Sequence, residues 1–299
     1  MDMDGPLELP AEPVSPDAAT PTRHGFWRRL ATSPGGVIGL SVMALLLVVA
    51  VFADQLAPFP PTRMAAGRRL VEPSLRHLAG TDEFGRDMFS RILHGARYTV
   101  QIGAIAVGIS LTIGLTLGLV AAYARGIVEM VLMRLSDVLF SFTETLIALA
   151  CVAVLGPSLE NAMIAVGIAG IPYYARTAYA TALVETAKPY FEGSVAAGAG
   201  PIRLVLLHLL PNVMPTMVVV ATLGLSSAIL AAAGLSFLGL GAQPPTPEWG
   251  AMLSAGRDFF NRAPWLMLYP GLAIALVVLA FNLLGDAVRE AMDPQGSDR

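Results

Sequence analysis

Two groups of ionisable residues stand where apolar chain surrounds them, and each could do chemistry. Arg134, Asp137 and Glu144 lie within one long apolar run. Ionisable side chains at membrane depth are costly and commonly face a pathway or a partner. Arg134 and Asp137 are three positions apart, so the spacing predicts an ion pair on one helix face at the cytoplasmic end of the run. Glu144, ten positions beyond Arg134, has no such partner and is the candidate for lining a translocation path. The second group is Glu192, Arg203 and His208, the polar residues of a broken stretch from Tyr190 to Asn212.

Several kinds of chemistry are missing. Lys188 is the only lysine among nineteen basic residues, and it precedes Pro189. A phosphate-binding P-loop needs a lysine after a glycine-rich turn and before Ser or Thr, so none exists here. If this protein works with ATP, another chain must bind it. His24, His77, His94 and His208 lack any paired metal-ligand spacing. Ser226-Ser227 has no strained Gly-x-Ser-x-Gly turn. The single cysteine, Cys151, rules out an internal disulfide and reads as a packed core residue. No catalytic and no metal-binding residue is expected, and the chain is not read as an enzyme.

The elements that must position these groups are membrane spans. Of 299 residues, 55% are hydrophobic and 14% charged, with a mean hydropathy of +0.65, a membrane-protein composition. The net charge of −3 argues against nucleic acid as a partner. Residues 1 to 22 carry five acidic residues and five prolines, unlike a secretory signal, and are expected to be disordered. Apolar runs follow at Val37 to Ala53 and at roughly 98–122, 128–155, 161–184, 213–240 and 265–286, which predicts an all-α integral membrane fold of six transmembrane helices. Arg23, Arg28 and Arg29 precede the first run, placing the N-terminus in the cytoplasm. An even number of spans returns the C-terminus to the same side.

Between the first two runs, Phe84, Met88, Ile92 and Leu93 fall at the spacing of an amphipathic helix lying along the membrane face. Gly108, Gly114 and Gly118 are read as close-packing positions between helices. In the loop before the last run, Pro244, Pro245 and Pro247 forbid a continuous helix. Trp249, Phe259, Phe260 and Trp265 there suit the membrane interface, and the loop is either a plain external connection or a gate or receptor-contacting surface. The stretch from Tyr190 to Asn212 is too polar to cross a bilayer. Gly198 and Gly200-Pro201 divide it into two short helical halves, which reads as a docking element for a soluble partner.

At this point a resemblance becomes visible. Glu192-Gly193-Ser194, then Gly198, then His208 with Leu210-Pro211-Asn212 resembles the EAA motif of ABC importer permeases, in the HxLPN form common in peptide permeases. GTDEFGRDMFSRILHGAR (80–97) and LSFLGLGAQPPTPEWGAMLSAGRDFF (235–260) resemble segments of the C-type subunit of the oligopeptide/dipeptide/nickel permease family. Thr143-Glu144 stands where that family often has a proline, so the resemblance carries no kink onto this position.

The resemblance implies a type I ABC importer (MetI-like) permease core. It divides the chain into a cytoplasmic tail (1–25), a first span with an extracytoplasmic segment (26–96) and a permease domain (97–288) holding a coupling loop (185–212). It implies a bacterial cytoplasmic-membrane protein, multi-pass, with both termini cytoplasmic. A homologous second permease would complete a heterodimer in the lipid. Two cytosolic ABC ATPase subunits, or one fused chain, would bind ATP and Mg. An extracytoplasmic substrate-binding protein would deliver the cargo. Glu192, Gly198, His208, Leu210 and Pro211 would couple the ATPases to the spans. The implied cargo is a dipeptide or oligopeptide, with nickel, a metal chelate, haem or another small solute open on the same scaffold. A stand-alone channel or enzyme is the reading of another class.

Overall fold

The structure, a computed structural model, describes residues 23–64 and 68–292. The stretch 1–22, expected to be disordered, lies outside the described residues. Helices account for the architecture, and the described residues show only an isolated bridge between Thr81 and Asp87.

A short helix α1 (Arg23–Thr32) leads into α2 (Pro34–Leu56). Ser33 caps α2 by accepting a bond from the Gly36 amide, and Pro34 occupies the first turn, where its missing N–H costs nothing. Helix α3 (Met88–Ala124) is 37 residues long, about 55 Å at 1.5 Å per residue. The separate amphipathic helix expected before it is not there. Asp87 caps α3 directly, accepting from the Ser90 amide at 2.8 Å and the Ser90 hydroxyl at 2.7 Å. Phe84 sits in the turn before that cap, while Met88 and Ile92 belong to the first turns of the span itself. No breaker separates this polar opening from the apolar run, so the helix simply continues.

The run at 128–155 is not one helix. It forms α4 (Gly126–Phe140) and α5 (Glu144–Leu155), bent by 92°. No proline is involved. The Ser141 hydroxyl turns back onto the Val138 carbonyl at 2.6 Å, and Thr143 caps α5 with its side chain. Two local side-chain bonds that compete with the helical ladder thus supply the break. Helix α6 (Leu159–Thr186) packs along α3. A Cβ on Gly114 would stand 2.5 Å from that of Tyr174, and one on Gly118 would stand 2.6 Å from that of Ala178. These two glycines therefore are close-packing positions. Gly108 is not, since a Cβ there meets nothing within 4 Å.

After the loop helices α7 (Pro189–Ala196) and α8 (Pro201–Arg203) come α9 (Leu210–Phe237), the short α10 (Trp249–Gly256) and α11 (Trp265–Met292). Four helical stretches are long and apolar enough to cross a membrane: α2, α3, residues 201–237 and α11; the bent α4–α5 pair makes a fifth. Helix α6 has the length, at 28 residues, but more than half of it is buried against protein. Its exposed part carries Glu160 and Arg176, and Arg176 is paired with Asp137 of α4.

The two ends of the bundle are distinct. At one end, the Trp249 indole donates to the Ile92 carbonyl at 3.0 Å and the Trp265 indole donates to Thr81 at 3.3 Å. Both tryptophans are buried, which corrects the expectation that they lie at the membrane interface; Phe260, by contrast, is exposed. Their indole N–H groups need partners once buried, and the backbone carbonyls of Ile92 near the start of α3 and of Thr81 in the segment before it supply them. At the other end, Arg125 closes α3 and donates to the Thr186 hydroxyl at the end of α6. The start of α2 and the last turns of α11 lie at this second end too, around a recess lined by Arg29, Ser33, Ala287 and Glu290.

Candidate functional site

The loop after α6 is built on Glu185, which is buried at the helix end. Its carboxylate accepts from the Lys188 ammonium at 2.6 Å and from the Tyr190 hydroxyl at 2.7 Å. Pro189 then opens α7, and Phe191 is the buried residue that seats this helix. The helix ends in a tight turn. Gly198 has φ +79°, a left-handed conformation that side chains other than glycine adopt at a cost. Gly200 and Pro201 start the second half, and residues Leu204–Leu209 form a π-helical turn. Such turns are rare and concentrate at functional sites. Leu204 and Leu209 point into the core while Leu206 and Leu207 are exposed.

The second half does not return separately to the bundle. It runs on through Leu210 and Pro211 into α9, so residues 201–237 form one helical stretch. The two halves are tied at their base. Asn212 donates from its side-chain amide to the Tyr190 hydroxyl at 3.2 Å and to the His208 carbonyl at 2.7 Å. The Tyr190 and His208 rings lie 6.4 Å apart. Loss of solvent around the Tyr190 hydroxyl, together with its bond to Glu185, pushes that phenol up to about 12. Of the predicted coupling residues, His208, Leu210 and Pro211 stand near this tie, Gly198 makes the turn, and Glu192 is exposed on α7. Glu185, Tyr190 and Asn212 were missed as a connected set, although two of them bound the stretch that the sequence singled out.

Glu144 lies elsewhere, at the first residue of α5 beside the bend. It lines a cavity of about 320 Å³ roughly midway along α3, α6 and α9, with Ser110, Gly170, Tyr174, Gly224 and Ser227. Ser110 is already engaged, donating to the Gly167 carbonyl at 2.6 Å.

The comparisons with known proteins address the whole chain. Residues 114–296 match the model of the family described as binding-protein-dependent transport system inner membrane component. Residues 22–73 match the N-terminal transmembrane domain of oligopeptide transport permease C. The chain belongs to this permease family. The di/tripeptide transport system permease protein DppC of Pseudomonas aeruginosa is 45% identical over 276 residues, covering 90% of this chain and 91% of that one. The dipeptide permease DppC of Escherichia coli K12 is 42% identical over 94% of this chain and 95% of its own. A glutathione transport system permease, GsiD of Escherichia coli, is 44% identical over 94% of this chain and 93% of its own. A chain of the MetNI methionine ABC transporter, solved in inward-facing conformations, shares the fold, with a TM-score of 0.56 at 20% identity, covering 68% of this chain and 97% of that one.

The permease is therefore a bacterial multi-pass membrane transport subunit and not an enzyme; it works with ATPase and binding-protein partners. One predicted contact within it is corrected. Asp137 does not pair with Arg134 on its own helix; it accepts at 2.5 Å from Arg176 of α6. About two turns earlier in α4, Glu129 accepts from the Tyr179 hydroxyl. The i, i+3 spacing placed Arg134 and Asp137 on one face, but α6 brings a better-placed guanidinium from across the interface. The permease's last loop is also more ordered than its prolines suggest. Glu248 caps α10, accepting from the Gly250 and Ala251 amides at 2.9 and 2.8 Å. Its burial pushes the carboxyl above the usual carboxylate range, against the pull of those two bonds.

Proposed function

We propose that this permease moves short peptides across the cytoplasmic membrane. It would do so as one half of a heterodimer with a homologous second permease, driven by ATP and Mg bound in partner ATPase chains. The relatives named for dipeptides, tripeptides and glutathione support that cargo over nickel, a chelate or haem. Orientation follows from Arg28 and Arg29 beside the first span: the end holding α7 and both described chain ends faces the cytoplasm.

The observation that carries the reading is the tied loop from Pro189 to Pro211. Along it Glu192, Arg203, Val195, Ile202, Leu206 and Leu207 are exposed, apolar side chains with one charge of each sign, which suit a cleft on a soluble subunit. The Glu185–Tyr190–Asn212 tie makes the loop stiff enough to pass a push into α6 and α9 together. ATP binding closes the ATPases, the loop moves with them, and the spans rock between inward- and outward-open states. For this to work, the docked contacts must differ between the two states. Exposed Leu146, Val154 and Leu155 on α5 offer an apolar face for the second permease.

A Glu192→Cys variant tests the docking directly. In membranes holding the whole assembly it forms a crosslink to an ATPase subunit, and a crosslink confined to lipid or to the second permease would count against the loop's role. Cargo is tested by identifying the ligand that co-purifies with the binding protein of the same system.

A further inference from the structure

The cavity beside the α4–α5 bend is lined by one carboxylate and by the hydroxyls of Ser110, Tyr173, Tyr174 and Ser227, and no cationic side chain lines it. The Tyr174 hydroxyl is buried, at 4% exposure, and has no hydrogen-bond partner. Glu144 has neither an ion-pair nor a hydrogen-bond partner among the described residues. Buried polar groups are nearly always satisfied, and each exception calls for an explanation. One such group, the Tyr174 hydroxyl, lines this cavity together with the exposed, unpartnered carboxylate of Glu144, so the cavity offers one polar atom that calls for a partner and one that is free to take one.

Glycines make room for the hydroxyls beside the cavity. A Cβ on Gly170 of α6 would stand 2.6 Å from the Ser110 hydroxyl and 3.9 Å from Glu144 Oε1. A Cβ on Gly224 of α9 would stand only 1.9 Å from the Tyr174 hydroxyl. The carboxylate thus lies near α6 at Gly170, one helical turn before Tyr174, and the phenol reaches to α9.

The missing partner is a small cation carrying N–H donors, with a polar group next to it. A metal ion fits poorly, because hard cations collect several oxygen ligands and this cavity offers a single carboxylate. An α-ammonium group next to a peptide bond fits both requirements. The ammonium donates to Glu144, and the first peptide carbonyl accepts from the Tyr174 hydroxyl. A volume of about 320 Å³ is at the small end of ligand-pocket sizes and suits a dipeptide.

We propose that Glu144 and Tyr174 form a transit subsite for the free α-ammonium end of a peptide. This rests on the peptide-importer reading above and adds to it the residues that meet the cargo.

The test uses proteoliposomes with the complete transporter and its binding protein, fed radiolabelled alanyl-alanine. Uptake and binding-protein-stimulated ATP hydrolysis are measured side by side. Glu144→Gln is expected to lower uptake about tenfold, the worth of one charge-assisted hydrogen bond, while stimulated ATP hydrolysis stays within about twofold. Glu144→Asp restores most of the uptake, and Tyr174→Phe lowers it about threefold. Unchanged uptake in Glu144→Gln overturns the subsite while leaving the peptide reading intact. ATP hydrolysis falling in step with uptake also overturns it, since that marks a structural or coupling role. Wild-type vesicles that import no peptide overturn the peptide reading itself, and the subsite with it.

Discussion

The side-chain amide of Asn212 donates a 3.2 Å hydrogen bond to the Tyr190 hydroxyl, joining the first turn of α7 to the first turn of α9. The same hydroxyl donates to Glu185 at the end of α6, so one oxygen ties together three helices.

Tyr190→Phe removes both bonds and keeps the ring against His208. Each bond contributes about 0.5–1.5 kcal/mol to holding the loop, so transport in the full assembly is expected to fall about three- to tenfold at unchanged membrane level. A spectrophotometric titration checks the assignment. The wild type shows one tyrosinate forming near pH 12 that the variant lacks. A phenol raised in the folded chain contributes stability that is whole below the unfolded value, about 10, and is lost as pH climbs through the folded one.

Gly198 tests the turn. Its Cβ position is open, with nothing within 4 Å, so side-chain size is not what excludes other residues. The cost is the left-handed backbone, about 1–2 kcal/mol for an ordinary residue and less for Asn. Gly198→Val is therefore expected to uncouple ATP hydrolysis from uptake, and Gly198→Asn to keep most of the coupling. Equal uptake in both variants would contradict this account.

Much of the fold was legible, because apolar runs and their flanking Pro and Gly residues act locally. Ser33-Pro34 starts α2 where the composition changes, and Gly198 turns where two helical halves meet. The failures were tertiary. Asp137 had a suitable partner at i−3 but takes Arg176 from another helix. Trp249 and Trp265 looked interfacial until the backbone of α3 and its preceding turn supplied acceptors. The 92° bend was invisible because Ser and Thr break helices only when their hydroxyls turn inward, and no pattern announces that. Tyr174 gave no signal at all. An aromatic residue in an apolar helix reads as core, and only the packing reveals that its hydroxyl lacks a partner.

Two glycines on one helix separate packing from propensity. Gly114→Ala forces α3 away from Tyr174 and is expected to cost about 1–3 kcal/mol, as overpacking does. Gly108→Ala meets no neighbour and removes a poor helix former, so stability is expected to hold or rise by up to about 1 kcal/mol. Thermal unfolding of both variants in one detergent decides between them.

Glu248 predicts a pH effect. Burial raises its folded value above the unfolded one, about 4.3, so the folded chain holds its proton more tightly there. Stability then falls as pH rises from that unfolded value through the folded one. Glu248→Gln is expected to flatten this slope in Tm above about pH 4, at the expense of one of the two capping bonds.

Helix α3 carries no proline and runs unbroken from the cap at Asp87 to Arg125, where it meets the end of α6. At about 55 Å it is far longer than a hydrocarbon core of about 30 Å. It therefore acts as a pole standing through the bilayer with no joint along its length. A tilt imposed where Arg125 holds Thr186 would be carried along α3 toward Ile92, the residue that Trp249 holds at the other end. The two faces of the membrane are, along this one element, mechanically a single object.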